Sequence, residues 1–286
     1  MEPPPSLGLI AGNGLYPRLL AESAHRAGVA RVVAAAFTGE TDPKLEPLVD
    51  QIEWMRVGQL GRLVNYFSGA GVRHAIMAGQ IAPKNLFDLR PDMKALLALA
   101  RMKHRNAESL FGAVADELAK AGIELLPATT FMDDFLAPAG LIAGRALSRR
   151  EAADVEFGFA IAKEVSRLDI GQTVVVKGGT VLAVEAFEGT NEALKRGGAL
   201  ARSGAVMVKV SKPNHDLRFD VPVIGPATIA TAGEVKARVV AIEAGRTLVL
   251  ELGELKEIAR RLGVSVIARE LQSSSANLHS QSSAGS

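Results

Sequence analysis

The segment 209–225 reads KVSKPNHDLRFDVPVIG, and it gathers two lysines, a histidine, an arginine and two aspartates. As an extended strand, its alternation puts Asp216, Arg218 and Asp220 on one face and Leu217, Phe219, Val221 and Val223 on the other. A single charge would keep such a face in water. Two carboxylates and a guanidinium, approached through Lys209, Lys212 and His215, suit a divalent metal beside an anion. An edge strand guarded against unwanted pairing by its charges and by Pro222 would show the same pattern.

A second candidate is the segment 181–192, VLAVEAFEGTNE, where an apolar strand delivers Glu185 and Glu188 to its end and a helix begins at Thr190. Paired carboxylates at a helix N-terminus can hold Mg²⁺ and a phosphate together. Equally, Thr190 can be a plain N-cap and Glu188 a partner for the helix dipole. The third candidate is the turn Gly12-Asn13-Gly14 between a strand and a helix, whose backbone N–H groups could face a phosphate. A dinucleotide fingerprint would need a third glycine at Pro17 and an acid near 34–37, and neither is present. A simpler nucleotide or diphosphate contact, or a tight structural turn, remains. The five histidines lack any paired metal spacing, and Asn214-His215-Asp216 has no D-x-H or G-D-x-x-D to complete a binuclear phosphoesterase set. Serine acyl transfer and P-loop hydrolysis lack their motifs.

These segments must be positioned by a chain of 286 residues, long enough for two domains. From 7 to 126, strands at 7–10, 31–36, 74–78 and 124–126 alternate with helices at 15–27, 60–70, 92–103 and 107–121. That rhythm predicts an α/β, Rossmann-like parallel sheet in a domain covering 1–135. Residues 136–148, rich in Ala, Gly and Pro, are expected to be a linker. A C-terminal α+β domain should cover 149–272. It is read as a helix at 150–168, a hairpin about Lys177-Gly178-Gly179-Thr180, a helix from Thr190 and strands at 205–210, 217–223, 237–243, 247–251 and 265–268, with a helix at 253–262. The Ser-rich stretch 273–286 is expected to be a disordered tail.

Composition narrows the function. Thirty-three Lys and Arg against 31 acids is near balance, and aromatic residues are 5%, so no nucleic-acid surface is expected. The absence of cysteine removes disulfides and thiolate chemistry and fits a reducing cytoplasm. No basic n-region precedes an apolar core at the N-terminus, and no apolar run approaches the roughly 18 residues of a spanning helix.

Taken together and in order, Asp169-Ile170-Gly171-Gln172, Val184-Glu185-Ala186 with Glu188-Gly189-Thr190, and Lys212-Pro213 followed by Asp216-x-Arg218-x-Asp220-x-Pro222 and Gly225 resemble the LpxI family of UDP-2,3-diacylglucosamine hydrolases. The resemblance extends to Leu9-Ile10-Ala11-Gly12-x-Gly14-x-x-Pro17 and to Ala78-Gly79-Gln80 with Pro83, so it spans nearly all of 7–270. It implies Mg²⁺-dependent cleavage of the substrate's diphosphate to lipid X and UMP in lipid A biosynthesis. It places the essential metal-site aspartate on Asp220, with Glu185, Glu188 and Asp216 as further catalytic candidates. Gly12, Gly14, Gly79, Gln80, Gln172, Thr190, Lys212 and Arg218 would contact substrate. A cytoplasmic homodimer that meets the inner membrane surface transiently is the expected setting. Many members read E-G-T-D where this chain has Asn191, and G-D-D where it has Asn106-Ala107-Glu108, so no role is carried to those positions. An oxidoreductase using the glycine turn and a non-catalytic nucleotide sensor are the competing readings.

Overall fold

A computed structural model describes residues 2–81, 91–100, 107–212, 218 and 221–270. Among the described residues the chain divides into two compact units, 2–135 with Arg218 and Val221, and 136–212 with 222–270.

In the first unit, β1 (Ser6–Ala11), β2 (Arg31–Phe37), β3 (Gln51–Met55), β4 (His74–Ala78) and β5 (Glu124–Leu125) form a parallel sheet in the order β3-β2-β1-β4-β5. The order reverses between β1 and β4, as in Rossmann-like sheets. β1 and β2 are buried nearly end to end, because helices cover both faces of a parallel sheet. The helices are α1 (Tyr16–Arg26), α2 (Leu60–Gly69), α3 (Met93–Ala100) and α4 (Ala107–Lys120). Leu63, Val64 and Phe67 of α2 and Leu118 of α4 pack on Val33, Ala35, Ala75 and Met77 of the sheet. Strand β3 is absent from the sequence reading, since Gln51 and Glu53 interrupt any apolar run. Its backbone pairs with β2 from Val33↔Gln51 to Phe37↔Met55.

The second unit is a six-stranded mixed sheet of β6 (Gly140–Ala143), β7 (Thr173–Lys177), β8 (Thr180–Val184), β9 (Val206–Lys209), β11 (Val239–Glu243) and β13 (Ser265–Arg269), ordered β6-β13-β11-β9-β7-β8. β9, β11 and β13 run parallel, while β6, β7 and β8 are antiparallel to their neighbours. Strand alternation sorts its side chains into two cores. Val174, Val176, Val206, Val208, Val239 and Ala241 meet Val155, Phe159 and Ala162 of α5 (Arg149–Arg167). Val175, Met207, Val240 and Ile242 face Leu194 of α6 (Thr190–Ala201), Ile229 of α7 (Pro226–Glu234) and Leu255 of α8 (Leu252–Leu262). The expected hairpin forms with Gly178 at φ 57° and Gly179 at φ 71°, and the Asp154 carboxylate accepts both their N–H groups at 2.8 Å.

Three expectations change. Residues 136–148 are more than a connection: β6 lies among them, paired with β13, and Ala137 N–H donates to the Thr247 carbonyl at 2.9 Å. Its Gly140 and exposed Leu141 hid a short edge strand from a periodicity test. Helix α7 was missed, although Pro226 at its first turn is an ordinary helix start. The strand anticipated at 217–223 reduces, among the described residues, to β10 (Val223–Ile224), paired with β12 (Leu248–Val249), and Arg218 lies in a turn. The stretch 271–286 lies outside the described residues.

Candidate functional site

One edge of the second unit's sheet gathers the polar motifs. β8, β9 and β11 all end there, and β7 begins there, because Thr173 pairs with Lys209, Lys209 with Ile242 and Val174 with Val184. Glu185 therefore follows β8 directly beside the start of β7, and its N–H donates to the Thr173 carbonyl at 2.8 Å. Gly171 permits this approach: a Cβ there would stand 2.0 Å from the Glu185 carbonyl oxygen. The Gln172 carbonyl accepts from Val210 N–H at 2.9 Å, which fixes the backbone of the predicted Asp169–Gln172 motif against β9.

At this edge Thr190 is the first residue of α6, and the cap position belongs to Gly189 at φ 84°. The hydroxyl is thus released from capping. It donates to Glu185 Oε1 at 2.9 Å and accepts from Lys209 Nζ at 3.0 Å, with Thr173 Oγ1 3.5 Å away. The direction is set by chemistry, because an ammonium only donates and a carboxylate only accepts. Lys209 also donates to the Val223 carbonyl at 3.3 Å. Glu185 Oε2 is buried and has no hydrogen-bond partner among the described residues. A buried acceptor in this condition is a site for an incoming donor or a hard cation.

On the other face of the same edge, Glu243 is 3% exposed. Its carboxylate receives Lys163 Nζ from α5 at 2.8 and 2.9 Å, Ser211 N–H at 2.7 Å and Ser211 Oγ at 2.8 Å. Lys163 also donates to the Ser211 carbonyl at 2.8 Å. Lys212 follows at once, and its ammonium bonds the carboxylate of Asp169, whose backbone sits at φ 56°. Sequence reasoning missed Lys163 and Glu243 altogether. It treated Lys209 only as an approach to the 216–220 segment, although a lysine inside the apolar run VMVKV was an available signal of burial.

The remaining candidates divide. Glu188 turns outward: Arg196 donates to its Oε1 at 2.5 Å and holds the carboxyl below its ordinary range, and Ala186 N–H reaches Oε2 at 3.2 Å. The structure therefore separates Glu188 from Glu185 by partner. In the first unit, the turns holding Gly12, Gly14, Gly79 and Gln80 are joined to one another. Asn13 N–H donates to the Gln80 carbonyl at 2.6 Å, Gln80 N–H returns to Asn13 at 3.2 Å, and Gly12 N–H donates to Ala78 at 2.8 Å. A Cβ at Gly12 or Gly79 would strike the opposing backbone at 2.6 or 2.5 Å, so close approach alone accounts for both glycines. Gly14, at φ 92°, faces open space. Asp216 and Asp220 lie outside the described residues, and Arg218 is half-buried. Among the described residues no three acids or histidines cluster as a metal site. Glu185 Oε2, a buried oxygen without a hydrogen-bond partner among the described residues, suits a water bound to a Mg²⁺ held by other ligands.

Comparison with known proteins adds the following. Residues 6–135 match the LpxI N-terminal domain model and residues 138–267 match the LpxI C-terminal domain model. The chain is 33% identical over 279 residues to the UDP-2,3-diacylglucosamine pyrophosphatase LpxI of Caulobacter vibrioides, covering 93% of this chain and 98% of that protein. Among solved structures, the crystal structure of gox2253 aligns with 91% of this chain and 83% of its own at 10% identity and a TM-score of 0.28.

Proposed function

This chain belongs to the LpxI family, and on that footing we propose that it hydrolyses the diphosphate of UDP-2,3-diacylglucosamine in lipid A biosynthesis, releasing UMP and 2,3-diacylglucosamine 1-phosphate, lipid X. The observation that carries the reading is the match to a named pyrophosphatase along 98% of that protein's length. The geometry supports it, since Glu185, Thr190 and the Gly171-Gln172 turn come together at one sheet edge.

Mg²⁺ would supply charge stabilisation to the diphosphate, held by Asp220 with Asp216 in support. Glu185 Oε2 would orient the attacking water and accept its proton, a role the Arg196-bound Glu188 is less free to take. Thr190 and Lys212 would meet phosphate oxygens, and Gln172 would line the approach. No helix among the described residues is long and apolar enough to cross a membrane, so contact with the acylated substrate would be peripheral, at the inner membrane face. A homodimer is the assembly we propose.

The test is incubation with UDP-2,3-diacylglucosamine and Mg²⁺, with and without EDTA, following UMP and lipid X by chromatography. UMP release that stops with EDTA is expected. Release of UDP in place of UMP, or an intact substrate, overturns the proposal.

A further inference from the structure

Two charged side chains are buried at the same edge of the second unit's sheet, on opposite faces, and they are provided for differently. Glu243 has a lysine and both donors of Ser211. Lys209, only 6% exposed, has two neutral oxygens: Thr190 Oγ1 and the Val223 carbonyl. Among the described residues no carboxylate reaches its ammonium. Glu185 connects to it only through the Thr190 hydroxyl. An ammonium carries three hydrogens, so one is left over, and a buried cation without a counter-ion is costly to the folded protein.

Among the described residues Glu185, one hydroxyl away, is the nearest negative charge and makes no direct bond to the ammonium. Thr190 opens α6, a helix of twelve residues whose first N–H groups and dipole present partial positive charge at that point. A nine-tenths buried cation aimed at a helix N-terminus is an arrangement for an anion with oxygens to share between them.

Resting on the function proposed above, we propose that Lys209 is a substrate-binding residue whose ammonium takes a non-bridging oxygen of the diphosphate at the N-terminus of α6. The shared chemistry is that of a phosphate ester or diphosphate. The third hydrogen of the ammonium, which Thr190 and Val223 leave over, is then the one the substrate takes up.

A purely structural role for Lys209, tying α6 to β10, makes a different prediction, and the two can be separated by binding of an anion that is not turned over. Inorganic pyrophosphate with Mg²⁺ is the probe, titrated calorimetrically into the full chain and into Lys209→Met and Lys209→Arg. We expect Lys209→Met to keep its fold and a melting temperature within a few degrees of the parent, to bind pyrophosphate at least about 10-fold more weakly, and to lose roughly 10²-fold in kcat/KM for UDP-2,3-diacylglucosamine. Lys209→Arg, which keeps the charge, should regain part of the binding. If Lys209→Met does not fold, Lys209→Gln, which keeps a donor for Thr190 without the charge, decides by the same titration. Parental pyrophosphate affinity in the uncharged variant, or no pyrophosphate binding by the parent, overturns the proposal. A parent that binds pyrophosphate through Lys209 yet leaves UDP-2,3-diacylglucosamine intact overturns the proposed function and leaves this inference standing. An uncharged variant that hydrolyses the substrate as fast as the parent does the reverse.

Discussion

The Glu243 network offers a direct measurement of what anchors the backbone leading into Lys212. In Glu243→Met the carboxylate is gone, Lys163 retains only the Ser211 carbonyl, and the Ser211 N–H, on a residue 2% exposed, loses its acceptor. Breaking a buried pair by removing one partner costs about 3–5 kcal/mol. The Lys163 side chain is 23% exposed and can turn partly to water, which favours the lower end, while the orphaned amide adds about 1–3 kcal/mol. Arg246, 3.8 Å from Glu243 and largely exposed, offsets little of this. We therefore expect a loss of about 3–5 kcal/mol and a fall in melting temperature of roughly 6–20 °C. The assay is a double-mutant cycle by calorimetry or urea unfolding with Lys163→Met and the double variant. Two methionines leave no buried charge unpaired, so the double variant should recover about 1–3 kcal/mol relative to additivity. A loss below about 1 kcal/mol in Glu243→Met, or strictly additive effects, would refute the view that this is a coupled buried pair.

The other expectations concern the opposite face and the start of α5. Glu185→Gln should lower kcat for UMP release by about 10²–10⁴-fold, whereas Glu188→Gln, whose carboxylate is engaged by Arg196, should lower it less than about 10-fold; the reverse order in steady-state kinetics would remove Glu185 from the proposed role. Gly171→Ala places a methyl 2.0 Å from the Glu185 carbonyl oxygen, which belongs to backbone and cannot swing aside, so unfolding should become easier by at least about 1–3 kcal/mol and turnover should fall with it. Glu151 closes a capping box with Ser148 and accepts both nitrogens of Arg145, which, as the largest cause, holds its pKa down at about 2. A depressed carboxylate pKa contributes stability that is complete above the unfolded value and lost as pH falls through the folded one. The stability difference between the parent and Glu151→Gln should then be constant near neutrality and shrink between about pH 4.5 and 2. With Arg145 60% exposed and screened by water, that difference should be about 1–2 kcal/mol; a difference independent of pH across this window would contradict the assignment.

How much of this was legible beforehand follows from what each residue's neighbours in sequence reveal. The first unit's strands β1, β2 and β4 are short apolar runs bounded by glycines, so a parallel sheet could be read directly. Strand β3 could not, because its membership is decided by backbone pairing to β2 and its side chains are mixed. At the site, Glu185 and Thr190 were legible because they lie five positions apart and Thr190 itself opens a helix. Lys163 and Glu243 are 80 residues apart, each an unremarked charge in an amphipathic pattern, and only the register of β11 and the position of α5 bring them together. The burial of Lys209 followed from β9 being an interior strand, flanked by β11 and β7. The order of the strands fixes that fact, and the apolar run VMVKV is its one local sign.

The glycine turn of the first unit shows how the same logic separates competing functions. A loop that holds a dinucleotide's phosphates does so by leaving backbone N–H groups pointing at the ligand, with glycine at the points of closest approach. Here the Gly12 and Asn13 amides are spent on Ala78 and Gln80, and the space a phosphate would need beside Gly12 and Gly79 is filled by the other turn's backbone. The glycines are required, but by the latch between the turns after β1 and β4. What the turn retains for a ligand is Gly14, with open space at φ 92° just ahead of α1, whose first turn carries Pro17 and therefore one N–H fewer. That inventory is too small for the pyrophosphate grip an oxidoreductase needs. In the second unit, by contrast, Glu185, Lys209 and Lys212 stand on a sheet edge held by buried bonds, where the proposed reaction puts its charges.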